Sequence, residues 1–128
     1  MIEKDNRPVN LNLLTISLPV IGLASILHRI SGFALFICFP LVVWLLHLSL
    51  QSTESFSLLK RYMENNVLLK LMAVFIAVGF IYHILAGLKK ILGEVFGFGE
   101  TLKSGQALSW IVFALSFILS LWFLIYIW

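Results

Sequence analysis

Three long runs without a single charged residue constrain this chain more than any other feature. Residues 30–50 (ISGFALFICFPLVVWLLHLSL) and 107–128 (ALSWIVFALSFILSLWFLIYIW) are each long enough to cross a bilayer as a helix. Residues 71–88 (LMAVFIAVGFIYHILAGL) sit at the short end of that range, since roughly 20 apolar residues span the hydrocarbon core. Inside hydrocarbon every backbone amide must find its partner within the segment, so these runs are read as helices. Charged residues make up only 12% of the chain, against about a quarter in a soluble domain. The expectation is an all-α membrane protein with three transmembrane helices. Residues 1–128 form one membrane domain, because no segment between spans is long enough to build a core of its own.

The spans are placed at about residues 22–50, 67–88 and 107–128, behind an amphipathic or irregular lead-in over 1–21 at the membrane surface. Residues 8–27 also lack charge, but Asn10, Asn12, Thr15, Ser17 and Pro19 argue against a fourth span. Pro40 removes one hydrogen bond from the first span and is expected to kink it. Residues 51–66 read as a solvated polar connection and 89–106, with four glycines, as a second one. No cleavable signal is expected, because Glu3, Lys4, Asp5 and Arg7 are not followed by a short apolar core and small-residue site. Cys38, the single cysteine, excludes an intrachain disulfide and a covalent C-x-x-C-H haem attachment.

Positive charge orients the chain. Lys4, Arg7 and Arg29 precede the first span, and Lys89, Lys90 and Lys103 lie between the second and third. Three spans put all of these on one face, leaving Lys60, Arg61 and Lys70 on the other. The positive-inside rule then puts the N-terminus in the cytoplasm, in an inner (cytoplasmic) membrane. This topology brings together two polar intrusions that the sequence separates. Ser25-Ile26-Leu27-His28-Arg29 opens the first span on the face to which the second returns. His83 lies six residues before Lys89, about 9 Å along a helix, and so at a depth close to that of Arg29.

Each polar residue has two readings. His83 has Gly79, Ala86 and Gly87 as helical neighbours, a small-residue face against which a flat haem could lie with imidazole as axial ligand. The same face also suits ordinary packing of membrane helices. Ser25, Arg29 and Gly32 share a face by their spacing of four and three, with Gly32 leaving space beside the arginine. Such a pocket could donate hydrogen bonds to a quinone oxygen, whose negative charge grows on reduction. Arg29 could equally snorkel to headgroups. Lys89 and Lys90 suit haem propionates or orientation anchors, and Ser109, Ser116 and Ser120 suggest a packing face on the last span. No phosphate-gripping glycine loop is present: GFGET lacks both the spacing and the preceding strand.

Two patches then give the chain a family likeness. Arg7-Pro8-Val9-Asn10-Leu11, followed by Ser25-Ile26-Leu27-His28-Arg29-Ile30-Ser31-Gly32, resembles the RP…S-x-x-H-R-x-S pattern of the cytochrome b membrane-anchor subunit of succinate dehydrogenase. His83-Ile84-Leu85-Ala86-Gly87-Leu88-Lys89-Lys90 is similar to the H-x-x-x-G-[apolar]-R-H segment of that family, with Lys89-Lys90 in place of Arg-His. The resemblance implies a subunit of succinate:quinone oxidoreductase, part of a heteromeric helix bundle, with no succinate-oxidising site of its own. It implies that His83 is an axial ligand of haem b, the other ligand coming from a companion anchor subunit. Ser25 and Arg29 would line the ubiquinone site, and His28, Arg29, Lys89 and Lys90 would lie near the propionates. An iron–sulfur subunit and a flavoprotein subunit would complete the complex. Lysine lacks the planar fork needed to grip a propionate with two bonds, so the departure at Lys89-Lys90 bears on that contact. The rival readings are the anchor of a quinol–fumarate reductase and a non-redox membrane adaptor or transporter component.

Overall fold

A computed structural model describes residues 18–128. The Arg7–Leu11 patch, Lys4 and most of the expected 1–21 lead-in lie outside the described residues. Within them the chain forms four helices and no strand: α1 (Val20–Gln51), α2 (Thr53–Asn65), α3 (Val67–Phe96) and α4 (Leu102–Ile127). Among the described residues, α1, α3 and α4 are long and apolar enough to cross a membrane, as the charge-free runs predict.

The helices outrun the apolar runs. α1 has 32 residues, about 48 Å at 1.5 Å per residue, and exceeds the ~30 Å hydrocarbon thickness. Pro40 lies inside it. α3 continues through Lys89 and Lys90 to Phe96, so the expected 89–106 connection shrinks to residues 97–101. Ile91, Leu92, Val95 and Phe96 interleave with good helix formers there, and periodicity outweighs the glycines. Among the described residues only Gly97 and Gly99 take positive φ, 70° and 86°, and Gly97 closes α3 by donating to the Gly93 carbonyl. Gly105 is different: it is buried in the first turn of α4, where a Cβ would come within 2.8 Å of Ile21 Cδ1.

The 51–66 segment is also helical, not an open polar loop. Ser52 caps α2 by accepting from the Ser55 amide at 3.0 Å, and Glu54 sits in the first turn where the helix dipole favours it. Ser55, Leu59 and Met63 repeat every four residues and turn inward, while Lys60 and Glu64 pair on the outside at 3.8 Å. Its polar composition concealed that periodicity. With 13 residues, or about 20 Å, α2 cannot span the hydrocarbon core.

α3 lies between α1 and α4 and packs against both. Lys70 Nζ sits 5.4 Å from the Trp128 ring centroid, joining the start of α3 to the end of α4. The interior is small-residue and polar: among the described residues Ala24, Ser31, Ala86, Ser109, Val112 and Ser116 are the buried side chains, with Gly105. Large apolar residues point outward, as with Phe36 at 76% exposure. This inverts a soluble core for a physical reason. Lipid tails are as apolar as leucine, so close backbone approach and interhelical hydrogen bonds hold the helices together.

Candidate functional site

The face of α1 that meets α3 is set by Ala24, His28 and Gly32, one turn apart. The opposing face of α3 carries Tyr82, His83, Ala86 and Gly87. A Cβ at Gly32 would lie 2.8 Å from His83 Cε1, so only glycine admits that ring. The arrangement is reciprocal, because the position of a Cβ at Gly87 is 3.4 Å from His28 Nε2. Each histidine therefore lies over a glycine of the opposite helix, and the two rings stack with centroids 4.3 Å apart and planes 22° apart.

Hydrogen bonds fix the His83 tautomer. Its Nδ1 is 3.1 Å from the His28 carbonyl oxygen and 3.1 Å from Ser31 Oγ. Ser31 Oγ itself donates to the His28 carbonyl at 2.8 Å. A carbonyl only accepts, so Nδ1 carries the hydrogen, and the tautomer this selects has its lone pair on Nε2. Metal-binding histidines are commonly held in this way, with one ring N–H tied to a backbone carbonyl and the other nitrogen left to ligate.

His83 borders two spaces. One is an apolar groove of about 600 Å³ between α1 and α3, running from Gly32 and His83 to Met63 of α2. The other is an open cavity of about 570 Å³ bordered by His28, Gly87, Lys90 and Glu94. His28 Nε2 is buried without a hydrogen-bond partner. An imidazole held through Nδ1, an unpartnered second imidazole nitrogen and a lysine at the rim are a donor set that fits a flat, apolar group with an acidic edge, as haem is.

The remaining expected residues separate into three groups. Arg29 and Ser25 are exposed on the next face of α1, so Arg29 stands at the depth of the His28–His83 pair without touching it. Gly32, expected to leave room beside Arg29, gives that room to His83 instead. Lys90 reaches the cavity of the histidine pair, whereas Lys89 turns to α4 and donates to Ser109 Oγ at 2.6 Å. Gly79 faces Leu35 of α1, and Ala86 is buried; the small-residue face of α3 is thus engaged in helix packing. Ser31 and Tyr82 were not legible as site residues. Tyr82 Oη donates to the Ala24 carbonyl at 2.8 Å. A serine three residues after His28 was the one signal for Ser31, and an aromatic residue in a membrane run gave none for Tyr82.

Comparison with known proteins bears on the family of the chain. Residues 3–123 match the family described as succinate dehydrogenase/fumarate reductase transmembrane subunit. A succinate dehydrogenase cytochrome b556 subunit of Coxiella burnetii is 38% identical over 112 residues, covering 88% of this chain and 89% of that protein. A cytochrome b560 subunit of Porphyra purpurea is 35% identical over 90 residues, 70% of this chain and 72% of its own length. A cytochrome b556 subunit of Rickettsia felis is 26% identical over 119 residues, 91% and 90% of the two chains. With three apolar spans, a histidine pair at one end and a match over nearly its full length, the chain belongs to the succinate dehydrogenase/fumarate reductase transmembrane subunit family.

Proposed function

We propose that the chain anchors a succinate-oxidising soluble pair in the inner (cytoplasmic) membrane, with its N-terminus cytoplasmic, and shares in binding haem b and reducing ubiquinone. The pair consists of a flavoprotein and an iron–sulfur subunit, and a companion anchor subunit gives the second axial ligand. One observation carries the reading: His83 Nδ1 is committed to the His28 carbonyl, which leaves the Nε2 lone pair as a ligand at the level of Arg29. Haem b supplies a one-electron redox centre when bound. His28 and Lys90 attend its acidic edge. Lys89 belongs to the same charged end, where its bond to Ser109 ties α3 to α4.

Ser25 and Arg29 face outward from α1, the side on which a neighbouring subunit and a quinone would meet them. Their hydroxyl and guanidinium orient the quinone and donate to the oxygen that gains negative charge on reduction. Electrons reach this site from iron–sulfur centres on the partner, since Cys38 is the single thiol here. The test is colour. The purified complex is expected to show a reduced b-type α-band, and His83→Ala is expected to abolish or severely perturb it. An unaltered band in that variant excludes His83 as ligand.

A further inference from the structure

We propose that Tyr82 is a positioning residue of the quinone site, holding in place the turn of α1 that carries Ser25 and Arg29; the inference rests on the reading of those two residues given above. Tyr82 and His83 are consecutive in α3, and each donates to a backbone carbonyl of α1. The Tyr82 hydroxyl donates to Ala24 O at 2.8 Å, and His83 Nδ1 to His28 O at 3.1 Å. Ala24 and His28 are four residues apart, so α3 grips one full turn of α1 at both ends. The residues that follow these two carbonyls are Ser25 and Arg29. Both side chains therefore project from peptide units that α3 holds.

The ring that carries the hydroxyl is held by α4. The Tyr82 ring stacks on Phe113 of α4, with centroids 5.8 Å apart and planes 7° apart. Ala24 O already belongs to the hydrogen-bond ladder of α1, and its second lone pair accepts Tyr82. The bond thus adds fixity without unwinding the helix. Tyr82 is half-buried within the three-helix packing, and it borders a crevice shared with Leu27 and Ser31 of α1. Leu27 and Ser31 lie on the side of α1 away from Ser25 and Arg29. Tyr82 therefore acts on the quinone through the α1 backbone and does not touch it. Small displacements of such a turn matter, because they change how well the Ser25 hydroxyl and the Arg29 guanidinium meet a bound quinone.

The test is Tyr82→Phe in the assembled complex, which keeps the ring on Phe113 and removes only the hydroxyl. KM for a short-chain ubiquinone analogue is expected to rise about threefold to tenfold, the range of one lost hydrogen bond. kcat, the b-type band and succinate oxidation with a water-soluble dye are expected to hold. Ser109→Ala serves as the control, since the buried hydrogen bond it removes joins α3 to α4 and not to α1; its quinone KM is expected to stay at the parent value. An unchanged KM in Tyr82→Phe, an equal rise in Ser109→Ala, or a Tyr82→Phe complex that does not assemble would each overturn the proposal. Arg29→Ala, measured in parallel, separates the two levels. If it reduces quinone normally, the reading of the site itself fails; if it is crippled while Tyr82→Phe is normal, only the role of Tyr82 fails.

Discussion

His28 and His83 stack face to face at 4.3 Å, and each ring rests over a glycine on the helix of the other. The pair sets how closely α1 and α3 approach, because a ring and a Cβ cannot occupy the same space. It also joins the two halves of the site, since the His28 carbonyl holds His83 while the next residue, Arg29, faces outward.

The two glycines are expected to differ in their tolerance of a methyl group. Gly32→Ala puts a Cβ 2.8 Å from His83 Cε1, so the ring or α1 must move. Overpacking of this kind costs about 1–3 kcal/mol. The expected result is a lower melting temperature and a shifted or weakened b-type band. Gly87→Ala meets His28 Nε2 at 3.4 Å, an ordinary contact, and is expected to leave the band in place. Equal spectra for the two variants would contradict the stacked geometry.

Ser31 offers a finer probe. Its hydroxyl donates to the His28 carbonyl and lies 3.1 Å from His83 Nδ1, so Ser31→Ala leaves Nδ1 with the carbonyl alone. Groups supporting a ligating histidine in this way are typically worth about 10–100-fold in metal affinity. Haem is expected to remain, but to exchange faster with apo-myoglobin and to show an altered midpoint potential. A parent-like exchange rate and potential would remove Ser31 from the site.

The spans, their number and the shared depth of Arg29 and His83 were legible in the sequence, because charge in hydrocarbon is costly enough to leave a clear pattern. The ends of the spans were not. Lys89, Lys90 and Glu94 look like a boundary, yet α3 carries them onward, since helices persist into the headgroup region where charge is solvated. Four glycines within 89–106 look like one flexible connection. Two of them terminate or follow a helix at positive φ, while Gly105 permits close packing against Ile21. The role of Gly32 was misassigned for a related reason. Spacing shows which residues share a face, but only the partner helix decides which of them it covers.

Arg29→Ala is expected to lower quinone reduction about tenfold to a hundredfold, the range of one charged hydrogen bond. The complex should still assemble, because Arg29 is exposed on α1. Arg29→Lys restores charge but not the planar fork, and is expected to recover only part of the rate. The measurement is succinate-driven reduction of a ubiquinone analogue, normalised to dye-linked succinate oxidation. Unchanged quinone turnover in Arg29→Ala would falsify the assignment.

Lys89 and Lys90 are adjacent and alike in charge, yet they are expected to fail in different assays. Lys89 Nζ donates to Ser109 Oγ, which is 0% exposed and passes its own hydrogen to the Gly105 carbonyl. Lys89→Met keeps the aliphatic stem and removes the ammonium, so α3 and α4 lose a charge-assisted bond worth about 1.5–3 kcal/mol. The expected outcome is a lower melting temperature of the complex with the b-type band position unchanged. Lys90 is exposed and borders the cavity of the histidine pair. Lys90→Met is expected to leave the melt nearly unchanged and to move the haem midpoint potential downward, because a cation beside an acidic edge offsets its negative charge, and without it the more positive oxidised haem is favoured. The pair of variants is read by thermal melting and redox titration side by side. Identical effects in both assays would mean that the two lysines share one role, against the separation of their side chains across α3.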